Sequence, residues 1–281
     1  MEIIEQSIVS KSQTAEAEDG IIITDDFIAV IDGSTSKTAN RIVPQHTNGR
    51  YCMLLICEYI GSMAADINFN DFCSGITLYI NNVYGNDTKQ RLVTHPEERL
   101  TASCIVFSRQ KREIWMIGDC QCLIDGVLFE NPKPYENILA GRRAEIIHKA
   151  LNDKTHTIDD IRSNDIGRQA IIPEMIKTMQ EQNKTYSVVD GFPIPMSKTR
   201  KISLTGNENL IVLASDGYPV LCPTLSQSEA VLAKQLTEDP LNINTFKATK
   251  AFIAGNNSFD DRAYVSFRVK PYTQGDVTTA L

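Results

Sequence analysis

Short apolar runs rich in β-branched residues, each leading into or out of an aspartate, are the feature of this sequence that most constrains its fold. The runs lead into Asp32, Asp119 and Asp216, and a fourth begins after Asp260 and Asp261. Runs of this length and composition are typical of strands, and Asp-Gly pairs at their ends are typical of tight turns. The pattern therefore predicts short strands joined by tight connections, with antiparallel pairing common.

The predicted helices and strands come in groups along the chain. Apolar residues spaced three and four apart predict helices, and β-branched runs predict strands. We predict strands over residues 21–24, 27–31, 102–107, 113–117, 209–214 and 263–267, and helices over residues 51–65, 72–83, 143–151, 169–179 and 226–236. The polar stretch 152–168 is interpreted as a loop or a short helical insertion. Because strands and helices do not alternate regularly, an α+β layered fold is favoured.

Length, charge and cysteine usage limit the class of protein. The 281 residues allow one large domain or two small ones, and we expect a single domain over residues 1–281. The formal net charge of −7 argues against nucleic acid or an anionic membrane as the main partner, because both are negatively charged. No apolar run approaches the roughly 20 residues of a membrane span. The acidic N-terminus lacks the layout of a secretory signal, and the seven cysteines lie mostly in apolar runs, so we expect a cytoplasmic protein.

The aspartates at the strand ends have two interpretations. Any single Asp-Gly pair is most simply a turn, since both residues are common there. Several carboxylates at the ends of neighbouring strands would repel one another, and hard divalent cations such as Mg²⁺ or Mn²⁺ compensate such charge best. A glycine after the aspartate also lets its backbone carbonyl approach an ion as a further ligand. The set as a whole therefore indicates a metal site.

Acidic motifs occur in a definite order along nearly the whole chain: Glu18-Asp19, Asp32-Gly33, Gly118-Asp119, Ala214-Ser215-Asp216-Gly217 and Asp260-Asp261. This ordered set resembles the metal-dependent protein phosphatases of the 2C type. The resemblance implies a four-layer α-β-β-α sandwich with two central, mostly antiparallel sheets. It also implies two or three Mg²⁺ or Mn²⁺ ions at one end of that sandwich.

The resemblance further assigns ligands to these ions. The implied metal ligands are Glu18, Asp32, the carbonyl of Gly33, Asp119, Asp216 and Asp260. Asp32 would bridge two ions, Asp216 and Asp260 would hold the second, and Asp119 would bind a third, looser ion. Asp32 and Asp216 are thereby the expected catalytic residues.

These assignments imply hydrolysis of a phosphomonoester by a two-metal mechanism. Two cations about 3.5–4 Å apart lower the pKa of a bridging water so that hydroxide can attack phosphorus, while they neutralise the phosphoryl oxygens. Neither a nucleophilic cysteine nor a catalytic histidine is then required. The expected partner is a phosphorylated protein, most simply one carrying phosphoserine or phosphothreonine, or a small phosphomonoester.

Two groups that the family usually carries are missing from this sequence. Members usually have a histidine shortly after the first Asp-Gly, whereas this chain continues after Gly33 as Ser-Thr-Ser-Lys. They also tend to have an arginine before the acidic pair, where Lys11 is the nearest cation. Lys37 and Arg41 are alternative phosphate-binding residues, although all three cations also fit as ordinary surface groups.

The departures leave a second function open, that of a catalytically weak relative that binds a phosphorylated partner or acts as a regulatory module. Retention of every metal-type acid argues against it, because buried carboxylates without metals would be costly. Two further motifs are interpreted structurally. Cys120-Gln121-Cys122 is a poor zinc pattern and is assigned to a strand, and Asp190, shortly before two prolines, is assigned to a hairpin or flap edge and not to the metal set.

Overall fold

Two antiparallel sheets form the centre of the computed structural model, which describes residues 1–270. The strands of sheet A, in spatial order, are β1 (Glu2–Val9), β10 (Arg262–Val269), β9 (Asn209–Ala214), β6 (Gln121–Ile124) and β7 (Val127–Phe129). Those of sheet B are β2 (Gly20–Ile23), β3 (Phe27–Gly33), β4 (Ala102–Ser108), β5 (Glu113–Ile117) and β8 (Arg200–Ser203). Every neighbouring pair in these sheets is antiparallel, as the turn chemistry predicts.

Alternate residues of the central strands face opposite sides of the sheet. In β3, Ile28 and Val30 lie in the apolar layer between sheets A and B, whereas Phe27, Ala29 and Ile31 pack against helices on the outer side. Both faces of this strand are therefore buried. That is why its sequence is apolar throughout and does not alternate with polar residues.

The helices of the described residues are α1 (Asn48–Gly61), α2 (Phe69–Asn81), α3 (Asn86–Thr94), α4 (Glu136–Asn152), α5 (Ile158–Ser163), α6 (Ile166–Met179) and α7 (Leu225–Glu238). Some of them cover the outer faces of the two sheets, whereas α4 and α6 pack on each other. Residues of α1 and α2 pack on sheet B, and Leu232 of α7 packs against Val212 and Tyr264 of sheet A. The expected four-layer α-β-β-α sandwich is therefore confirmed. Within residues 1–270, no helix has the length and apolar character needed to cross a membrane.

The predicted strands and helices are all present, with boundaries shifted by a few residues in most cases. The largest shift is in α4, which begins at Glu136 instead of residue 143. The polar stretch 152–168 contains the short helix α5, as expected, and Cys122 lies in β6. The periodicity does not predict β1, β7, β8 or α3.

The segment 186–195 differs from the predicted hairpin edge. It forms turns, and its Val189 makes an isolated antiparallel bridge with Ala102. Asp190 is fully buried, and its carboxylate accepts a hydrogen bond from the Arg99 guanidinium at 2.8 Å. Side-chain hydrogen bonds thus replace a strand ladder in this segment. The carboxylate of Asp190 is therefore engaged in hydrogen bonds within the fold, and Asp190 is not among the residues assigned to the metal site.

Gly33, the last residue of β3, lies where two other backbone segments approach closely. A Cβ at this position would lie 2.5 Å from the carbonyl oxygen of Glu18 and 2.6 Å from that of Gly49. Backbone atoms cannot move aside as a flexible side chain can. Gly33→Ala is therefore expected to lower the free energy of unfolding by about 1–3 kcal/mol, measured by denaturant titration with circular dichroism.

Gly141→Ala is the matched control for this substitution. Gly141 lies inside α4, and no atom lies within 4 Å of a Cβ built there. Alanine is favoured over glycine inside a helix by roughly 0.5–1 kcal/mol, so this variant should be at least as stable as the wild type. A Gly33→Ala protein with wild-type stability would contradict the close packing.

Candidate metal and anion site

The predicted aspartates converge at one end of the sandwich because their strands begin or end there. Asp32 is near the end of β3, Asp216 follows β9, and Asp260 lies shortly before β10, the antiparallel partner of β9. These three residues line one cavity, and we call them the acidic wall. Gly33 lines the same cavity. The structure therefore brings these three of the predicted acids together.

Asp119 and Glu18 lie beside this cavity. Asp119 lines an adjoining cavity that shares Asp216 and Asp260 with the first. Glu18 is buried and is joined to Asp260 through Lys11, whose Nζ lies 3.5 Å from the Glu18 carboxylate and 3.6 Å from that of Asp260. The acids predicted to bind metal therefore belong to one connected group.

Lysines neutralise one subset of these carboxylates. Lys133 Nζ donates to Asp119 Oδ2 at 2.6 Å, and Lys250 forms an ion pair with Asp260. Burial raises the pKa of Asp119 and of Asp260, but several groups together outweigh it and leave each pKa below its ordinary value: Lys133 and a hydrogen bond from Ser103 act on Asp119, and Lys250, Lys11 and Arg168 act on Asp260. These two acids are therefore ionised at neutral pH.

Asp32 and Asp216 have no such partner. Among residues 1–270, no side chain donates a hydrogen bond to either carboxylate or forms an ion pair with it. Burial raises the pKa of both well above the ordinary value, and neighbouring acids add to the effect: Asp19 acts on Asp32, and Asp32 acts on Asp216. Asp19 itself is 4% exposed, and its Oδ2 has no hydrogen-bond partner in the described part of the chain.

These unsatisfied acids fit a hard divalent cation. A buried carboxylate without a donor or cation is energetically costly, so the group favours a ligand of opposite charge. Mg²⁺ and Mn²⁺ prefer carboxylate and carbonyl oxygens, which is the donor set that Asp19, Asp32, Gly33 and Asp216 offer. The sequence resemblance assigns Glu18 of the Glu18-Asp19 pair as the metal ligand. In the structure, the buried carboxylate oxygen without a hydrogen-bond partner belongs to Asp19.

Glu136 is an acid of the site that the sequence analysis does not include among the metal ligands. Ligand atoms of Glu136, Asp119 and Asp216 all lie within 4.8 Å of one another. Burial, followed by the charge of Asp119, raises the pKa of Glu136 to about 7. Glu136 is in the first turn of α4, shortly after Pro134. Proline followed by an acidic residue is a helix-start signal that could have located it.

Three cations also line the first cavity. They are Lys37, Arg168 and Lys250, and we call them the basic wall. Burial lowers the pKa of Lys37 to about 7, and the charges of Arg168 and Lys250 contribute. Such a cluster of like charges favours binding of an anion. Lys37 is the predicted phosphate-binding residue that the structure places in the cavity, whereas Arg41 is exposed and is not among the residues lining it.

A buried ion pair outside the cavity holds the basic wall in place. Arg143 is fully buried, and its guanidinium donates to Asp165 at 2.8 Å and to the carbonyl oxygen of Ala248 at 2.9 Å. The carboxylate of Asp165 also accepts the backbone N–H groups of Arg168 and Ala251, at 2.8 and 2.9 Å. One ion pair thus fixes both Arg168 and the chain next to Lys250.

Solved structures of similar fold are known for this chain, although no protein-family model and no curated protein matches it. One is the catalytic domain of the serine threonine protein phosphatase PstP in complex with two manganese ions, at 12% identity and TM-score 0.46, covering 95% of this chain and 97% of that one. A second is RsbX in complex with magnesium, at 11% identity and TM-score 0.45, covering 94% and 96%. A third is the PPM Ser-Thr phosphatase MsPP from Mycobacterium smegmatis in complex with cacodylate, at 11% identity and TM-score 0.43, covering 97% and 100%.

These solved structures include members of the family that the sequence motifs resemble. Identities of 11–12% say nothing about activity, so the chemistry of the site has to be inferred from its own residues.

The raised pKa values predict that metal binding is coupled to proton release. Because burial raises the pKa of Asp32 and Asp216, and raises that of Glu136 to about 7, the ion-free protein holds protons there at higher pH than ordinary carboxyl groups do. A divalent cation binds the ionised carboxylates, so Mn²⁺ affinity should increase between about pH 6 and about pH 8. Isothermal titration calorimetry in buffers of different ionisation enthalpy counts the released protons. Asp216→Asn should bind Mn²⁺ more weakly and release fewer protons, and an affinity independent of pH would contradict the prediction.

Proposed function

We propose that this chain hydrolyses phosphomonoesters with the help of divalent cations, and that its substrate is most simply phosphoserine or phosphothreonine in a protein. The proposal depends on one observation: a single cavity is lined by both the acidic wall and the basic wall, and no cation among residues 1–270 forms an ion pair with Asp32 or Asp216 of the acidic wall. Carboxylates without partners suit metal ions, and clustered basic groups beside them suit a phosphoryl group.

Asp32 and Asp216 are the principal ligands in this proposal, because no lysine among residues 1–270 forms an ion pair with either. The Gly33 carbonyl and Asp19 offer further oxygens, and Glu18 and Asp260, already paired with Lys11 and Lys250, are secondary ligands. When bound, Mg²⁺ or Mn²⁺ would supply a water of lowered pKa as the nucleophile and would neutralise the phosphoryl oxygens.

The basic wall would hold the phosphoryl group. Arg168 presents a planar guanidinium that can bind two oxygens at once, which a lysine cannot do. It donates at 2.9 Å to the carbonyl oxygen of Thr249, so its orientation is fixed before any ligand binds. Arg168 would thereby bind the phosphoryl group in place of the arginine that the family tends to have before the acidic pair and that this sequence lacks before Glu18. Lys11 is engaged with Glu18 and Asp261, so we assign it to ordering the acids.

Lys37 is the group best suited to protonate the leaving oxygen. A proton donor works best when its pKa is near the working pH, and burial lowers the pKa of Lys37 to about 7. Lys37 lines the cavity and follows Asp32 and Gly33 in the sequence, in the region where family members usually carry a histidine. A lysine of this kind would replace the missing acid.

The adjoining cavity, with a volume of about 280 Å³, offers room for the rest of a phosphorylated substrate. Its lining includes Asp216 and other charged residues together with the apolar residues Tyr218, Pro219, Phe246 and Phe259. Ligand sites commonly combine apolar surface with polar groups. The apolar residues would suit a side chain next to a phosphorylated residue in a polypeptide.

The direct test is hydrolysis of p-nitrophenyl phosphate with Mn²⁺, with a chelator, and by the variant Asp216→Asn. We expect activity that requires the metal and falls more than about 100-fold in the variant, beyond the 10- to 100-fold that loss of an outer-shell partner costs. Asp66→Asn is the matched control, because Asp66 is exposed. It should retain wild-type activity.

Absence of activity with metal, or activity indifferent to the chelator and to Asp216→Asn, would exclude this function. Binding of a phosphorylated peptide without turnover would then favour the alternative of a phosphoprotein-binding module.

The proposed proton donor predicts a dependence on the leaving group. Lys37→Met should slow hydrolysis of phosphoserine, a poor leaving group, by about 100-fold or more, because general acid catalysis contributes roughly 10²–10⁴-fold. Hydrolysis of p-nitrophenyl phosphate, whose leaving group needs little protonation, should change much less. The protonated amine is the active form, so the wild-type phosphoserine rate should fall as the pH rises above about 7. Lys37→Arg keeps the positive charge but does not release a proton near neutral pH, because the guanidinium stays protonated. Equal losses of activity on phosphoserine and on p-nitrophenyl phosphate would contradict the assignment.

A further inference from the structure

Lys133 is a buried lysine with no role in the function proposed above. It lies in the loop between β7 and α4, between Pro132 and Pro134, whose rings restrict the backbone on both sides. The side chain of the preceding Asn131 donates to the carbonyl oxygen of Gly118 at 3.0 Å. The loop is therefore fastened to the Gly118-Asp119 turn, and Lys133 extends from a restrained backbone.

Both carboxylate oxygens of Asp119 already have donors. Lys133 Nζ donates to Oδ2 at 2.6 Å, and Ser103 Oγ donates to Oδ1 at 2.6 Å. The side chains of Lys133 and Asp119 are only 15% and 4% exposed, so water screens their attraction weakly. The short ion pair therefore holds the ammonium group of Lys133 as a positive charge against the Asp119 carboxylate.

This charge lies beside the acids that could otherwise bind a peripheral ion. Asp119, Glu136 and Asp216 present ligand atoms within 4.8 Å of one another, which is close enough for a shared cation. Of these three acids, Asp119 is the one whose two carboxylate oxygens both accept a side-chain hydrogen bond. A divalent ion bound through Asp119 would have to displace a buried ammonium group or lie next to it, and either arrangement is electrostatically unfavourable.

We propose that Lys133 is a built-in cation that takes the place of a peripheral divalent ion at Asp119, Glu136 and Asp216, so that the wild-type chain binds one ion fewer than these acids allow. The inference rests on the proposed function only in treating the acids as a metal-binding group. It changes the prediction for Asp119, which would serve as the partner of a lysine instead of a ligand for a third ion.

The test is the number of Mn²⁺ ions bound per chain, counted by electron paramagnetic resonance of the free ion at saturating metal. Lys133→Met has a side chain of similar length without the charge and should bind one more Mn²⁺ than the wild type. Lys133→Arg keeps the charge and should bind the same number as the wild type. Adding Glu136→Gln to Lys133→Met should remove the extra ion. Lys247→Met, at an exposed lysine of the adjoining cavity, should leave the count unchanged.

Equal counts in the wild type and Lys133→Met would overturn the inference, as would an extra ion in Lys133→Arg. Thermal unfolding by circular dichroism identifies a variant that does not fold, and Lys133→Gln, shorter and polar, then replaces Lys133→Met with the same expectation. A wild type that binds no Mn²⁺ would exclude the proposed function. In that case one ion gained by Lys133→Met would still support the present inference, and none gained would overturn it.

Discussion

Repulsion among buried carboxylates is the constraint on which the rest of this site depends. The sheets bring acids from several strand ends to one end of the sandwich, where the low dielectric strengthens their repulsion. Two solutions are visible. Lysines from the surrounding loops neutralise Asp119 and Asp260, whereas burial and neighbouring acids raise the pKa values of Asp32 and Asp216. The raised pKa values show that ionising these two acids creates charge that no cation among residues 1–270 compensates, and a divalent cation would compensate it.

Two cations of the basic wall, Arg168 and Lys250, depend on an ion pair that lies outside the cavity. Arg143 and Asp165 form a fully buried ion pair, and Asp165 also fixes the backbone at Arg168 and Ala251. A buried ion pair can cost as much in desolvation as it gains in attraction, so its value here is geometric. Loss of either partner would leave an unpaired buried charge and would release the basic wall. The position of the substrate's phosphoryl group would thus be set by an interaction that does not touch it.

Much of the fold could be predicted from the sequence because strand and helix periods are local properties. Acids adjacent to strands, such as Asp32 and Asp216, could be located because a strand end fixes where its next residue lies. Lys133, Arg168 and Lys250 could not, because they reach the site from a loop, a helix start and a long connection whose positions depend on distant contacts. Glu136 was hidden by the late predicted start of α4, a boundary error that removed one acid from the set. Arg41 has the right charge and the right neighbourhood in sequence, but the chain after β3 leaves it in solvent.

The division between strand-borne acids and loop-borne cations changes how the missing family residues should be interpreted. Strands hold their end residues rigidly, which suits ions that demand fixed oxygen positions, whereas loops tolerate substitution and can supply the same charge from a different place in the chain. The segment after Gly33, where the resembled family usually has a histidine, lines the cavity, and that cavity contains Lys37, with a pKa of about 7, and Arg168, which is held by Thr249. The chemistry of a site is defined by which groups face the cavity and with what protonation. A motif that is absent from its usual position is therefore a weak argument against the proposed activity when groups suited to donate a proton and to bind an anion line the same cavity.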